Sequence, residues 1–255
     1  MNVFITGASS GVGAALARHY AAQGATLGLF ARRGDTLATF AAELAPAQCA
    51  IYPGDVRDAA TLRHAAADFL ARFGAPDIVI GNAGISRGTL TRYAEDSAVF
   101  REVMDTNVLG LVHTFQPFVE AMRTAGRGRL VGIASVAGFR GLPGAAAYSA
   151  SKAAAISYLE SLRVEMRGSG VDVLTLCPGY ISTPMTAKNP YRMPFLLPAD
   201  RAALLIARAI ERRRRFCVLP WQMALLARVF RCLPRPLYDA VFARAKHKPR
   251  AAASD

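Results

Sequence analysis

The sequence has few cysteines, one tryptophan and no long apolar run. Its four cysteines, Cys49, Cys177, Cys217 and Cys232, lie far apart without a CxxC pair, so neither a disulfide framework nor a metal site is indicated. No stretch approaches the ~20 apolar residues of a membrane-spanning helix. A strand-like start at residues 3–5 leaves no room for a secretory leader. These absences predict a protein of the reducing cytoplasm without a bound metal.

Acidic residues are also scarce, and the resulting positive charge is unevenly distributed. The chain of 255 residues has a net charge of +13. Between residues 208 and 250, twelve arginines and lysines are accompanied only by Glu211 and Asp239, whereas the remainder of the chain is nearly balanced. Such asymmetry indicates that the C-terminal segment has an anionic surface as a partner.

Short apolar strands alternate with longer helical segments along the chain. With 53% apolar and 19% charged residues, the composition is that of a globular domain. Strands are predicted near 2–6, 26–31, 48–52, 77–81, 129–134, 171–177 and 216–219. Helices are predicted near 11–23, 34–45, 58–73, 97–123, 148–167 and 199–214. This order predicts an α/β fold, a doubly wound, Rossmann-type parallel sheet with helices on both faces.

The prediction divides the chain into one domain and an extension. Residues 1–220 are expected to form the Rossmann-type dinucleotide-binding and catalytic domain. Residues 221–255 are expected to form a C-terminal amphipathic, basic extension that is not a separate domain.

A glycine-rich turn follows the first predicted strand. Gly7, Gly11 and Gly13 let the backbone approach a pyrophosphate closely, and the helix that starts here offers free amides and the positive end of its dipole. The spacing G-x-x-x-G-x-G departs from the commoner G-x-G-x-x-G, and a tight turn that needs glycine only for its conformation is the alternative. Further cofactor contacts are expected in the same turn from Ser9, Ser10 and Val12.

The second predicted strand is followed by Arg32 and Arg33. A site for NAD would place a carboxylate near this point to hold the ribose 2′-hydroxyl, but the sequence has Ala31 there. Arginine matches a phosphate with two parallel hydrogen bonds and stays ionised. The sequence therefore favours NADP(H) over NAD(H), with two solvated arginines at a helix start as the alternative.

Tyr148 and Lys152 are four residues apart, so a helix places their side chains on one face. A lysine ammonium beside a tyrosine favours the tyrosinate and lowers the pKa of the phenol. Ser135 ends the fifth predicted strand, where it can donate a hydrogen bond to a carbonyl oxygen as charge develops. A Y-x-x-x-K spacing is common by chance, but its place after a strand that ends in serine indicates proton transfer at a carbonyl.

Together these residues give the chain a resemblance to the short-chain dehydrogenase/reductase family over about residues 1–220. The matching residues are Thr6-Gly7-x-x-x-Gly11-x-Gly13, Asp55, Asn82-Ala83-Gly84, Asn107, Ser135, Tyr148-x-x-x-Lys152, Pro178-Gly179 and Thr183. The resemblance implies an enzyme in which Tyr148 is the acid/base and Ser135 polarises the carbonyl. It also implies that Lys152 binds the nicotinamide ribose and that Asn107 holds a water of the proton relay.

The same resemblance implies further cofactor contacts and an assembly. Asp55 and Val56 would meet the adenine, and Asn82, followed by Ala83 and Gly84, would position the backbone nearby. The segment 178–183 would pass along the nicotinamide through Pro178, Gly179, Ile181 and Thr183. Family members commonly pair through helices near 97–123 and 148–167, so a homodimer or homotetramer is expected.

An irregular stretch over residues 180–200, here called the lid segment, is expected to cover the substrate. It contains two methionines, two aromatic residues and two leucines after its first tyrosine, and little charge beyond Lys188 and Arg192. Methionine adapts to irregular apolar ligands. The lid segment therefore favours a small lipophilic carbonyl compound, such as a fatty, sphingoid or steroid-like one; a loop that simply packs down is the alternative.

The expected function is that of an NADPH-dependent oxidoreductase that interconverts a carbonyl and a primary or secondary alcohol. A 3-oxoacyl thioester reductase is the alternative among enzymes. In a different class stands a non-catalytic NADPH-sensing binding protein, against which the intact Ser135, Tyr148 and Lys152 weigh. No nucleic-acid recognition motif accompanies the basic tail, so no nucleic-acid partner is expected.

The extension begins with a predicted helix over residues 220–233, which has a broad apolar face and a narrow face with Arg228 and Arg231. An amphipathic, basic helix with a tryptophan fits an in-plane contact with an anionic membrane. Packing over the pocket or against a second subunit is the alternative. We expect a cytoplasmic protein and keep contact of 221–250 with the inner face of a membrane open. Basic residues continue at Arg235, Arg244, Lys246 and Lys248, before a predicted frayed end at 251–255.

Overall fold

The computed structural model of the protein describes residues 1–243 and 247–250. Arg244, Lys246 and the predicted frayed end at 251–255 lie outside the described residues. The strands are β1 (Asn2–Thr6), β2 (Thr26–Ala31), β3 (Cys49–Pro53), β4 (Ile78–Gly81), β5 (Gly128–Ile133), β6 (Val171–Pro178), β7 (Ile181–Ser182), β8 (Leu197–Pro198) and β9 (Phe216–Leu219). The α-helices are α1 (Gly11–Ala21), α2 (Gly34–Glu43), α3 (Ala59–Phe73), α4 (Asp96–Met104), α5 (Gly110–Ala125), α6 (Ala146–Glu165), α7 (Ala199–Glu211), α8 (Trp221–Cys232) and α9 (Arg235–Phe242).

One parallel sheet has the strand order β3-β2-β1-β4-β5-β6-β9. The chain builds outward from β1 to β3, returns to the other side of β1 at β4, and builds outward again. The strand order therefore reverses between β1 and β4, and a ligand is expected beyond the carboxyl ends of these strands. This architecture confirms the predicted doubly wound fold.

Both faces of the sheet are covered because side chains alternate along each strand. On β1, Val3 and Ile5 enter an apolar core with residues of α1, α2 and α7, whereas Phe4 enters the core on the opposite face. There Phe4 packs edge-on against Phe69 of α3, with ring centroids 5.5 Å apart. Burial on both faces explains why the strands are continuously apolar in the sequence.

The single helix predicted over 97–123 is interrupted in the structure. Between α4 and α5, residues Asp105–Leu109 form a π-helical turn. Such a turn inserts an extra residue into the helical repeat, which redirects the side chains that follow. Apolar periodicity alone did not reveal it, and Asn107 lies buried within this turn.

The C-terminal extension packs on the catalytic side of the sheet. Met223 of α8 lies where a side chain on Gly179 would be, with its Cγ only 2.6 Å from that ideal Cβ position. Arg140 donates to the carbonyl oxygens of Phe230 and Leu233 at 2.9 and 3.0 Å and thereby satisfies the C-terminal end of α8. No described helix is both long enough and apolar enough to span a bilayer.

Candidate active site

The turn between β1 and α1 has the room and the donors that an anion requires. Gly7 and Gly11 adopt positive φ angles of 68° and 54°. A Cβ on Gly13 would collide with the carbonyl oxygen of Gly7 and would lie 2.6 Å from Asn82 Nδ2. Ser10 makes no side-chain cap, so α1 begins with amides that no side-chain oxygen satisfies. These features fit a dinucleotide pyrophosphate.

Asn82 connects the end of β4 to this turn. Its Nδ2 donates to the carbonyl oxygens of Thr6 and Gly7 at 3.1 and 3.3 Å, and its backbone N–H donates to Thr6 Oγ1 at 3.2 Å. The next amide, of Ala83, also lies within 3.4 Å of that hydroxyl oxygen. The strand end beside the switch point is therefore fixed to the glycine turn.

Positive charge surrounds the ends of β2 and β3. Arg32 and Arg33 are exposed immediately after β2. Arg57 holds the Asp55 carboxylate with Nη2–Oδ2 and Nε–Oδ1 distances of 2.7 and 3.1 Å. This pairing lowers the pKa of Asp55, and Arg32 acts in the same direction. Val56 is buried beside Asp55. Arg57 was not among the predicted site residues, although its D-x-R spacing from Asp55 lies next to the expected adenine site.

Ser135, Tyr148 and Lys152 converge at the end of β5. Lys152 is 5% exposed, and its Nζ donates to the carbonyl oxygen of Ile133 at 2.8 Å. The same Nζ lies 5.8 Å from the Tyr148 ring centroid. The Ser135 hydroxyl donates to the carbonyl oxygen of Pro178 at 3.5 Å, and it lies close enough to Tyr148 to affect the pKa of that phenol.

Burial dominates the proton affinities of this group. It raises the pKa of Tyr148, while the nearby Ser135 hydroxyl acts in the opposite direction. It lowers the pKa of Lys152 to about 8. The expected lowering of the Tyr148 pKa is therefore wrong for this structure, because burial penalises the phenolate and raises that pKa. Tyr148 is protonated at neutral pH.

Asn107 is held by three hydrogen bonds on the inner side of the π-helical turn. Its Oδ1 accepts from the amide of Ile85 at 2.8 Å, and its Nδ2 donates to Ile85 O and Ser151 Oγ, both at 2.9 Å. Gly84 lies beside it, and an ideal Cβ there would be 3.1 Å from Asn107 Oδ1 and 3.6 Å from Lys152 Nζ. Sequence reasoning assigned no role to Ser151, although its place between Tyr148 and Lys152 was a signal.

The segment from Pro178 to Thr183 spans the distance between the two halves of the site. At one end, the Pro178 carbonyl faces Ser135, and the Gly179 amide donates to Leu219 O at 2.7 Å. At the other end, Thr183 Cγ2 lies 3.2 Å from the ideal Cβ position of Gly11. Between them, Ile181 is buried. One extended segment thus contacts both the glycine turn and the group around Tyr148.

The lid segment is closed at its base by the pairing of β7 with β8. Inside it, the rings of Tyr180 and Tyr191 pack edge-on with centroids 6.4 Å apart. Both tyrosines are close enough to Tyr148 for their charges to affect one another. Apolar side chains of the lid segment remain exposed at Met185, Phe195 and Leu196. Tyr180 follows Pro178-Gly179 directly, a position that could have marked it from the sequence.

A parallel α/β sheet with a glycine turn at its switch point and this serine, tyrosine and lysine at its carboxyl edge defines a nicotinamide-dependent oxidoreductase of alcohols and carbonyls. A family model described as short chain dehydrogenase matches residues 1–193. The chain therefore belongs to the short-chain dehydrogenase/reductase family.

Three similar proteins illustrate this membership. An uncharacterized oxidoreductase of Myxococcus xanthus is 39% identical over 246 residues, which cover 95% of this chain and 96% of that protein. A short chain dehydrogenase/reductase of Burkholderia phymatum, solved in complex with NAD, is 26% identical with a TM-score of 0.81 and coverages of 98% and 97%. An alcohol dehydrogenase of Thermococcus sibiricus, complexed with 5-hydroxy-NADP, is 27% identical with a TM-score of 0.76 and coverages of 86% and 95%.

Proposed function

We propose that the protein is an NADPH-dependent oxidoreductase that interconverts a lipophilic carbonyl compound and its primary or secondary alcohol. The observation that carries this proposal is the convergence of Ser135, Tyr148 and Lys152 at one end of the Pro178–Thr183 segment, with the glycine turn at its other end. A dinucleotide bound along this segment would place its nicotinamide beside Tyr148 and its pyrophosphate beside Gly11.

Proton transfer at the substrate oxygen is assigned to Tyr148. A bound nicotinamide supplies the hydride that reaches the carbonyl carbon. Tyr148 gives its phenolic proton to the oxygen on which negative charge develops. Ser135 donates a hydrogen bond to the same oxygen. Lys152 binds the ribose hydroxyls, and Asn107 holds the water that returns a proton to the site.

A preference for NADPH is supported by the charges after β2. Arg32 and Arg33 are exposed there, and the Asp55 carboxylate is already paired with Arg57. A 2′-phosphate would meet two guanidinium groups, whereas a 2′-hydroxyl would find no free carboxylate at Ala31. The structural relatives include complexes with both kinds of nicotinamide dinucleotide, so this chain's own arginines carry the argument.

The lipophilic substrate is supported by the lid segment. Met185, Phe195 and Leu196 expose apolar surface there, and Tyr180 and Tyr191 form an aromatic wall near Tyr148. An apolar ligand would cover this surface and gain roughly 25 cal/mol for each Å² removed from water.

We further propose that the enzyme is cytoplasmic, that it forms a homodimer or homotetramer, and that segment 221–250 contacts an anionic membrane.

The test is NADPH oxidation with a chain-length series of ketones, aldehydes and 3-oxoacyl thioesters, using Tyr148→Phe as the matched variant. Turnover should rise with apolar chain length, and Tyr148→Phe should abolish it while NADPH affinity changes little. Turnover restricted to the thioesters would replace the proposed substrate class with its alternative. Retained turnover by Tyr148→Phe would remove Tyr148 as the acid.

A further inference from the structure

A groove of about 480 Å³ lies between α7, β9 and the start of α8. Four arginines line it, namely Arg201, Arg208, Arg212 and Arg214. Arg201 and Arg208 belong to α7 and Arg212 directly follows its last residue, and at 100° per residue the three fall within roughly 40° of one another. Leu205 shares this stripe and supplies an apolar wall.

The positive charge of this groove is not compensated by the described part of the chain. All four arginines are exposed, and none of them forms a salt bridge with another described residue. The described residues that line the groove include no acidic side chain. On α7 the acidic residues Asp200 and Glu211 lie roughly 60° or more to one side of the arginines. The groove therefore attracts an anion.

An exposed apolar stripe begins at the rim of the groove. Trp221 lines the groove and is 72% exposed, and Leu225 and Val229 follow it on the same face of α8 with exposures of 59% and 52%. The broad apolar face expected of this helix is thus divided, because Met223 and Ala227 on its other side are buried in the protein.

Arg228 and Arg231 border this stripe on α8. Helical spacing places them beside Trp221, on the side away from Leu225 and Val229. The next helix, α9, follows α8 after a short connection, and its residues Leu237 and Val241 are also more than half exposed. Apolar side chains at the centre and guanidinium groups at the margin are the arrangement of a helix that lies in the plane of an anionic membrane surface. At twelve residues, α8 is too short to cross a bilayer.

We propose that the groove binds the phosphate of an anionic phospholipid headgroup while Trp221, Leu225 and Val229 enter the interfacial layer of the bilayer. The exposed stripe distinguishes this occupant from a soluble phosphate, which would leave those three side chains in water. A second copy of the chain is disfavoured because a symmetric contact would bring two uncompensated arginine groups together. This docking does not depend on the reductase function, and it specifies which groove and side chains make the membrane contact proposed above for segment 221–250.

The test is co-sedimentation of the full chain with phosphatidylcholine vesicles that contain or lack phosphatidylglycerol. Trp221 is the only tryptophan of the chain, so its fluorescence reports on this surface alone. We expect sedimentation and a blue shift of its emission only with phosphatidylglycerol, both weakened by salt. Absence of sedimentation with these vesicles overturns the proposal.

Variants with matched charge separate the groove from general electrostatics. The triple variant Arg201→Gln, Arg208→Gln, Arg212→Gln should bind the anionic vesicles about a hundredfold more weakly, given the energy of each basic residue near such a surface. The control triple variant alters three exposed arginines elsewhere, Arg63, Arg123 and Arg167, and should bind almost as the unchanged protein does. Equal loss in both triples contradicts a specific groove. Unchanged circular dichroism and melting temperature show that each variant is folded.

Two further measurements address the other occupants. A blue shift that rises with protein concentration in the absence of vesicles, together with a larger mass in sedimentation equilibrium, would assign the surface to a second copy instead. A response of Trp221 to inorganic phosphate at constant ionic strength, without vesicles, would assign the groove to a soluble phosphate. Either result overturns the proposal, whereas the absence of a response in both measurements supports it.

Discussion

Arg250 joins the last described segment of the chain to the start of α4 through Asp96. Its Nε and Nη2 donate to Asp96 Oδ2 and Oδ1 at 3.0 and 2.9 Å, and the Asp96 side chain is only 4% exposed. The Arg250 guanidinium also lies 3.5 Å from the ring centroid of Tyr93. The Leu90 amide donates to the same carboxylate at 2.7 Å. Residues 154 positions apart in the sequence thus fix the loop that follows β4.

Replacing this arginine should destabilise the protein. Arg250→Ala leaves a largely buried carboxylate without its ionic partner, so the melting temperature should fall clearly. Arg163→Ala is the matched control because it removes an exposed pair with Glu160, and it should change the melting temperature little. Equal effects of the two substitutions would contradict a special role of Arg250.

The same pair predicts a dependence of stability on pH. Arg250 lowers the pKa of Asp96 in the folded protein. The pair therefore stabilises the fold fully above the pKa of an aspartate in the unfolded chain, and this contribution is lost as pH falls through the lower, folded-state pKa. The difference in melting temperature between the unchanged protein and Arg250→Ala should be constant near neutral pH and should shrink in acid. A constant difference at all pH values would contradict this linkage.

Cofactor choice should change when the charges after β2 are removed. The double variant Arg32→Ala, Arg33→Ala should lower the ratio of kcat/KM for NADPH to that for NADH by roughly tenfold to a hundredfold, the value of a charge-assisted hydrogen bond or two. The double variant Arg123→Ala, Arg167→Ala controls for net charge, because both residues are exposed elsewhere. An unchanged ratio would exclude the two arginines from the phosphate site.

Gly13 should tolerate no side chain. The Cβ of Gly13→Ala would meet a carbonyl oxygen of Gly7 and the hydrogen-bonded amide of Asn82, neither of which can move freely. We expect the dissociation constant of NADPH, measured by titration calorimetry, to rise at least ~10-fold through loss of amide contacts to the pyrophosphate. Gly141→Ala is the control, since its Cβ would have no neighbour within 4 Å. Equal affinities of both variants would argue against a pyrophosphate in this turn.

Asn107 should matter for both stability and turnover. Asn107→Ala leaves the amide and carbonyl of Ile85 without their partner, and the free energy of unfolding should fall by ~2–6 kcal/mol, at ~1–3 kcal/mol for each group left unpaired. Ser151→Ala removes the third hydrogen bond and the one from Ser151 Oγ to the Tyr148 carbonyl oxygen, and should cost ~2 kcal/mol at ~1 kcal/mol for each. Denaturant titration measures both values, and kcat should fall on the order of tenfold only for Asn107→Ala. A lower cost of Asn107→Ala than of Ser151→Ala would contradict this hydrogen-bond assignment.

The sequence predicted the sheet well because its strands are apolar runs separated by turn residues. It also identified the glycine turn and the group of Ser135, Tyr148 and Lys152, because the residues of each motif lie close together in the sequence. The π-helical turn before α5 was not predictable from periodicity, since one inserted residue alters the angular phase without altering which residues are apolar. The contact of Arg250 with Asp96 and the division of the α8 face were equally hidden, because both depend on which distant surfaces meet.

Met223 couples the stability of the C-terminal extension to that of the catalytic domain. This methionine occupies the space above Gly179, and Arg140 binds the C-terminal end of the same helix. Unfolding of α8 alone would therefore open a cavity beside Pro178. Cooperativity should therefore extend across residue 220. Heating is expected to melt α8 together with the catalytic sheet in one transition. We therefore expect the start of the C-terminal extension to unfold as part of the catalytic domain.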